Sequence, residues 1–168
     1  DDRNGSVCGN VSNIDKEVNI RSSLKALKRD FGELLISSIY ETQAVGFVGD
    51  SFYNLVVRFT SQLTAKEVAK ILRQIELEHG RSRESQKFSA RTLDLDLILY
   101  GDQIISDGRL QIPRDEIERY RFVLEPLAEI APNERHPITG KTYQTLWQEF
   151  DKSGEPPIKI NLNTFSTE

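Results

Sequence analysis

Phe88-Ser-Ala-Arg-Thr-Leu-Asp-Leu-Asp-Leu-Ile-Leu-Tyr100 opens as a loop carrying the cation Arg91 and continues as a strand. Side chains alternate across a strand, so Leu93, Leu95, Leu97 and Leu99 fall on one face and Asp94, Asp96 and Ile98 on the other. Two carboxylates then project side by side from an apolar strand. Like charges held close resist burial. A divalent cation offsets that cost, and Mg²⁺ is commonly held by one or two carboxylates plus substrate phosphates. An isolated Asp-x-Asp more often marks the wet face of an exposed strand. Here the preceding stretch, Glu76-Leu-Glu-His-Gly-Arg81-Ser-Arg83-Glu-Ser-Gln-Lys87, adds cations at 81, 83 and 87 to the one at 91. Acids for a metal beside cations for phosphate oxygens form a pattern suited to a metal–polyphosphate site.

Working outward, Asp15 to Phe31 reads as a helix with Val18, Ile20, Leu24, Leu27 and Phe31 at three- and four-residue steps, ended by Gly32. Leu34 to Tyr40 is β-rich, Glu41 to Ser51 reads as a loop, and Phe52 to Thr60 is the next strand. Thr64-Ala-Lys-Glu67 is a capping box, followed by a helix with Val68, Ile71, Leu72 and Ile75 on one face and Gly80 at its end. Ser6 to Val11 is a poor strand candidate. The order is βαββαβ, an α+β, ferredoxin-like antiparallel sheet with helices on one face and a C-terminal extension. In that extension Ile104-Ile and Leu110-Gln-Ile suggest short strands, Asp115 to Tyr120 a helical turn and Arg121 to Ile130 a helix. One domain over 1–150 is expected, with 151–168 as a weakly ordered tail.

The chain has 168 residues, 38% hydrophobic and 29% charged, as in a soluble globular domain. A net charge of -4 argues against a general nucleic-acid binder. No apolar run is long enough for a membrane-spanning helix. A single cysteine, Cys8, leaves no internal disulfide and points to a reducing compartment. The polar start carries no apolar leader, and the missing initial Met suggests a trimmed beginning. His79, next to Gly80, reads as helix-end punctuation and His136 as an exposed loop residue.

Arg91-Thr-Leu-Asp-Leu-Asp-Leu-Ile-Leu-Tyr-Gly101 resembles the signature of the 6-hydroxymethyl-7,8-dihydropterin pyrophosphokinases of folate biosynthesis. Ser38 to Thr42, Phe52 to Leu55, Glu76 with Gly80-Arg81, Arg109 to Pro113 and Phe122 to Ala131 match in the same order, over roughly 8 to 148. The resemblance implies transfer of a pyrophosphoryl group from ATP to the hydroxymethyl group of the reduced pterin, with release of AMP. It implies Asp94 and Asp96 as ligands of two Mg²⁺ ions, and Arg81 and Arg91 as catalytic residues at the triphosphate. Arg73, Glu76, Arg83, Lys87, Leu97, Arg109, Gln111 and Arg114 would line the nucleotide site, together with Arg91. Thr42, Val45, Phe52, Asn54, Phe88 and Phe122 would form the pterin pocket. The chemistry is coherent: aromatic faces hold a flat heterocycle and an amide pairs with its polar edge. A cytoplasmic monomer without nucleic-acid or membrane partners is expected.

Several positions depart from the family pattern. Cys8-Gly9-Asn10 stands in place of Gly-Ser-Asn, Phe88 in place of Trp, Ser89-Ala90 in place of Gly-Pro, and Arg114-Asp115 in place of a His-Tyr pair. Tyr120 precedes Arg121-Phe122 where an Arg is usual. These changes keep open a second reading, a weak or inactive paralogue that binds a pterin or nucleotide.

Overall fold

The computed structural model describes residues 3–12, 15–42, 51–79 and 93–161. A five-strand path runs β5-β1-β4-β3-β8, and β2 pairs alongside β4. The strands are β1 (Arg3–Val11), β2 (Leu35–Ile36), β3 (Ile39–Thr42), β4 (Phe52–Ser61), β5 (Leu93–Tyr100) and β8 (Ile158–Ile160). Every pairing in this sheet is antiparallel. A separate hairpin joins β6 (Ile105–Asp107) to β7 (Leu110–Ile112). The helices are α1 (Lys16–Phe31), α2 (Ala65–Glu78), α3 (Glu116–Arg119), α4 (Arg121–Ile130) and α5 (Tyr143–Glu149). The sheet order and the βαββαβ succession make the fold ferredoxin-like, as the sequence indicates.

Two helices cover one face. Ile20, Leu24, Leu27 and Phe31 of α1 and Val68, Leu72 and Ile75 of α2 bury against Val7, Leu55, Val57, Leu93, Leu95 and Leu97. The Thr64 capping box forms as expected: Thr64 Oγ1 accepts from Glu67 N at 3.1 Å and Glu67 Oε1 accepts from Thr64 N at 2.9 Å. Val18 is 61% exposed. It lies two residues from Ile20, a rotation of about 200° that turns it away from the sheet.

The second face is also covered, which the expectation of helices on one face did not include. Cys8, Val56, Ile98 and Leu99 pack against Ile117 of α3, Val123, Leu124 and Leu127 of α4, and Tyr143 of α5. The Glu129 carboxylate of α4 accepts from Ser38 N, from Ser38 Oγ at 2.9 Å and from Tyr40 Oη at 2.6 Å, which ties α4 to β3. Residues 151–161, expected to begin a weakly ordered tail, return to the sheet edge, where Ile158–Ile160 pairs with β3.

Two strand readings need correction. Ser6 to Val11, a poor strand candidate, lies within β1, which is central and hydrogen-bonded to β4 on one side and β5 on the other. Pairing on both edges overrides the weak propensity of its Gly, Ser and Asn residues. The strict alternation of β5 also fails at its end. The β1–β5 register shifts between Ser6 and Val7, so that Leu99 joins Ile98 in the α4 core while Tyr100 turns to the α1–α2 core. An extra residue on one strand of a pair flips the side chains that follow it.

Candidate active site

Asp94 and Asp96 leave β5 on the face that α3 and α4 cover farther along, and both are half-buried. The ladder extends this face sideways. Asp94 stands opposite Asn10, Asn10 opposite Asn54, and Asn54 opposite Tyr40. Asp96 stands opposite Cys8. Directly opposed residues share a face, so the acids, Asn10, Cys8 and Asn54 form one surface.

Two cavities meet at the acids. The larger, about 800 Å³, lies beyond the β5 edge. Lys66, Lys70, Arg73, Arg109 and Arg114 bring cations to it, and Leu97 and Gln111 also line it. The smaller, about 190 Å³, is walled by Cys8, Asn10 and Ile98 of the sheet and by Glu116, Tyr120 and Phe122 from the chain above. Asp94 and Asp96 line both. Tyr120 and Phe122 stack with ring centroids 5.1 Å apart and planes 15° from parallel.

Glu76 bears on the edge of β5. Its carboxylate is 1% exposed as a residue, accepts from Leu95 N at 2.7 Å and pairs with Arg73 Nη1 at 2.6 Å. The clamped peptide belongs to the residue between the two aspartates. Arg114, whose backbone N–H donates to Ile98 O at 3.0 Å, donates through Nη2 to Glu116 Oε2 at 2.6 Å and through Nε to Oε1 at 3.3 Å. That pairing holds the Glu116 carboxyl down at about 2. Burial pushes the Asp96 carboxyl above the ordinary aspartate range; Arg114 opposes the rise and Asp94 adds to it. Burial, with Asp96 and Glu116 adding, pushes the Cys8 thiol up as well, so it stays protonated.

The donor set suits a hard cation. Two carboxylates on adjacent same-face positions offer oxygens only, open on both sides to space for further oxygen ligands. Asp96 carries a burial cost that a divalent charge would offset.

Comparison with known proteins identifies the family of the chain. Residues 7–132 match the family model described as 7,8-dihydro-6-hydroxymethylpterin-pyrophosphokinase (HPPK). The chain belongs to the HPPK family. A Synechocystis relative named 2-amino-4-hydroxy-6-hydroxymethyldihydropteridine pyrophosphokinase is 39% identical over 126 residues, 75% of this chain and 64% of its own length. A Bacillus subtilis protein of the same name is 34% identical over 151 residues, 85% of this chain and 89% of its own. A Plasmodium falciparum HPPK-DHPS variant crystallised with pterin and p-hydroxybenzoate superposes with a TM-score of 0.72 at 12% identity. The match covers 89% of this chain and 44% of that one, and it shares the fold.

Within this HPPK domain the site residues expected from sequence divide into four groups. Asp94, Asp96, Arg73, Glu76, Leu97, Arg109, Gln111 and Arg114 come together around the larger cavity. Phe122 lines the smaller one. Thr42, Phe52 and Asn54 do not line it; they continue the same sheet face through the β3–β4 register, where Thr42 faces Phe52. Asn54 is 2% exposed, and its Oδ1 has no hydrogen-bond partner among the described residues. Val45, Arg81, Arg83, Lys87, Phe88 and Arg91 lie outside the described residues.

Sequence reasoning missed Lys66, Lys70, Asn10, Tyr120 and Glu116. Lys66, Lys70 and Arg73 were detectable, because steps of four and three put them on one helix face. Asn10 was hidden by the weak strand signal of β1. Neither histidine is at the site. His79 caps α2, with Nδ1 2.8 Å from Ile75 O and Nε2 2.8 Å from Ser22 Oγ. His136, expected to be exposed, is 2% exposed, and its Nδ1 accepts from Ile138 N at 3.1 Å.

Proposed function

We propose that this chain transfers the terminal pyrophosphoryl group of ATP to the hydroxymethyl oxygen of 6-hydroxymethyl-7,8-dihydropterin, releasing AMP, as its family's description indicates. The observation that carries this reading is that Asp94 and Asp96 line both cavities. A reaction joining a polyphosphate to a flat alcohol needs the two to meet at a point of charge control.

The larger cavity takes the nucleotide. Arg73, Arg109 and Arg114 face its phosphates, with Lys66 and Lys70 adding positive charge. The smaller cavity takes the pterin beside Phe122 and Tyr120, and the Asn54 amide supplies a buried polar group on the same sheet face. Asp94 and Asp96 would hold Mg²⁺ at the boundary, two ions being the number the family resemblance implies. Bound there, such an ion would supply charge neutralisation for the phosphate oxygens. Glu76 fixes the strand between the acids, which limits how far they can spread. Arg81 and Arg91 belong to this proposal as cations that absorb charge on the transferred group. We read the protein as a monomer of the cytoplasm, without nucleic-acid or membrane partners. The free, buried Cys8 thiol suits a reducing compartment.

The deciding experiment mixes the protein with ATP, Mg²⁺ and the reduced hydroxymethylpterin and separates the nucleotides. AMP formed one-for-one with a pyrophosphorylated pterin is expected. Formation of ADP instead would replace the reading with single phosphoryl transfer. Binding of both substrates without AMP would leave the non-catalytic paralogue.

A further inference from the structure

Arg114 and Glu116 form a pair whose members belong to different cavities. Arg114 lines the 800 Å³ side and Glu116 the 190 Å³ side. The pair therefore lies across the boundary, and Asp96 lines both spaces beside it. We propose that Glu116 is a positioning residue that holds the Arg114 guanidinium on this boundary, aimed at the nucleotide and kept off the Asp96 carboxylate. The inference rests on the nucleotide reading of the larger cavity.

Three features support it. The Arg114 backbone N–H donates to Ile98 O, so its Cα is anchored beside β5 two residues beyond Asp96. From that anchor a long, flexible stem reaches either acid, and its direction is set by whichever carboxylate holds it. Glu116 takes two guanidinium nitrogens onto two oxygens, the fork that fixes the plane as well as the position of an arginine. The pair is also sheltered, with side chains 30% and 25% exposed, so it is not a fully solvated surface contact. Without Glu116 the strongest anion near the guanidinium is Asp96. An arginine settled there would occupy oxygens that a metal ion needs and would leave the phosphates without that cation.

A double-mutant cycle read by nucleotide binding tests this. The probe is α,β-methylene-ATP with Mg²⁺, titrated calorimetrically, so the result does not depend on turnover. Glu116→Gln in the otherwise natural chain is expected to weaken binding about fivefold or more, whereas in an Arg114→Ala background it changes binding less than about twofold, because no cation remains to be aimed. Glu116→Asp, which keeps the charge, is expected to recover part of the loss. Thermal unfolding checks that each variant is folded. Equal losses in both backgrounds, or no loss in either, overturn the proposal. Analogue binding that obeys the cycle in a protein that makes no AMP would refute the pyrophosphokinase reading and leave the Glu116 assignment standing. Failure of the natural chain to bind the analogue overturns both.

Discussion

Leu95 donates its backbone N–H to the Glu76 carboxylate across 2.7 Å, and among the described residues β5 is the edge of the sheet and that N–H faces no strand. A buried side chain thus substitutes for a missing neighbour at the one peptide flanked by both aspartates. Glu76→Ala removes the acceptor and leaves a buried donor unpaired, which costs about 1–3 kcal/mol. Chemical denaturation is expected to show that loss, and catalytic turnover is expected to fall further than stability alone explains, because Asp94 and Asp96 lose their common support. A variant that loses stability and keeps full turnover once folded would make Glu76 purely a structural residue.

Asp96 offers the opposite balance of stability and activity. Burial raises its carboxyl, so its charge weakens the unliganded fold. Asp96→Asn keeps the shape and removes the charge. It is expected to leave the melting temperature of the metal-free protein unchanged or higher while reducing turnover about 100-fold or more. The pairing of a stable fold with lost activity is what a site residue shows when its charge serves the ligand and not the scaffold. Turnover near the natural level at saturating Mg²⁺ would remove Asp96 from the metal site.

The acids were legible in the sequence because a period of two is a property of any strand, whatever surrounds it. The helices α1 and α2 were legible through their apolar steps, and the Thr64–Glu67 box fixed where α2 begins. β1 was not, since Gly5, Ser6, Gly9 and Asn10 carry little strand preference and owe their conformation to β4 and β5 on either side. The flip at Leu99 depends on a register shift between two strands, which a single strand's pattern does not encode. The Arg114–Glu116 pair is a two-residue step from the connection after β7 into the first residue of α3, and neither helix nor strand spacing singles it out. Tyr120 drew notice only as a departure from the family pattern. Its place over the smaller cavity follows from how α3 leads into α4.

Gly5 tests the packing on the α1–α2 face. A Cβ there would stand 2.6 Å from the Phe59 ring, which stacks on Phe31 with centroids 4.2 Å apart. The ring is hemmed in and has little room to yield. Gly5→Ala is expected to cost about 1–3 kcal/mol. For a chain of this length that corresponds to a fall in melting temperature of roughly 2–4 °C per kcal/mol. The acids lie at the other end of β5, so turnover at a temperature where the variant is folded should be unchanged. A melting temperature equal to that of the natural chain would show that the two rings separate freely.

His136 makes stability depend on pH. It is 2% exposed and its Nδ1 accepts from the N–H groups of Ile138 and Thr139, an arrangement only the neutral ring can make there. Burial lowers its pKa below the ordinary histidine value, and Glu118, whose Oε1 lies 3.6 Å from Nε2, offsets part of the drop. The unfolded chain therefore binds a proton at a higher pH than the folded one. The stability this difference contributes is fully present above the unfolded value, near about 6.5, and is lost as pH falls below it. Melting temperatures measured from pH 7.5 down to 5 are expected to decline, and His136→Asn, which retains an acceptor but does not titrate, is expected to flatten that decline. An equally steep decline in the variant would assign the acid sensitivity to other groups.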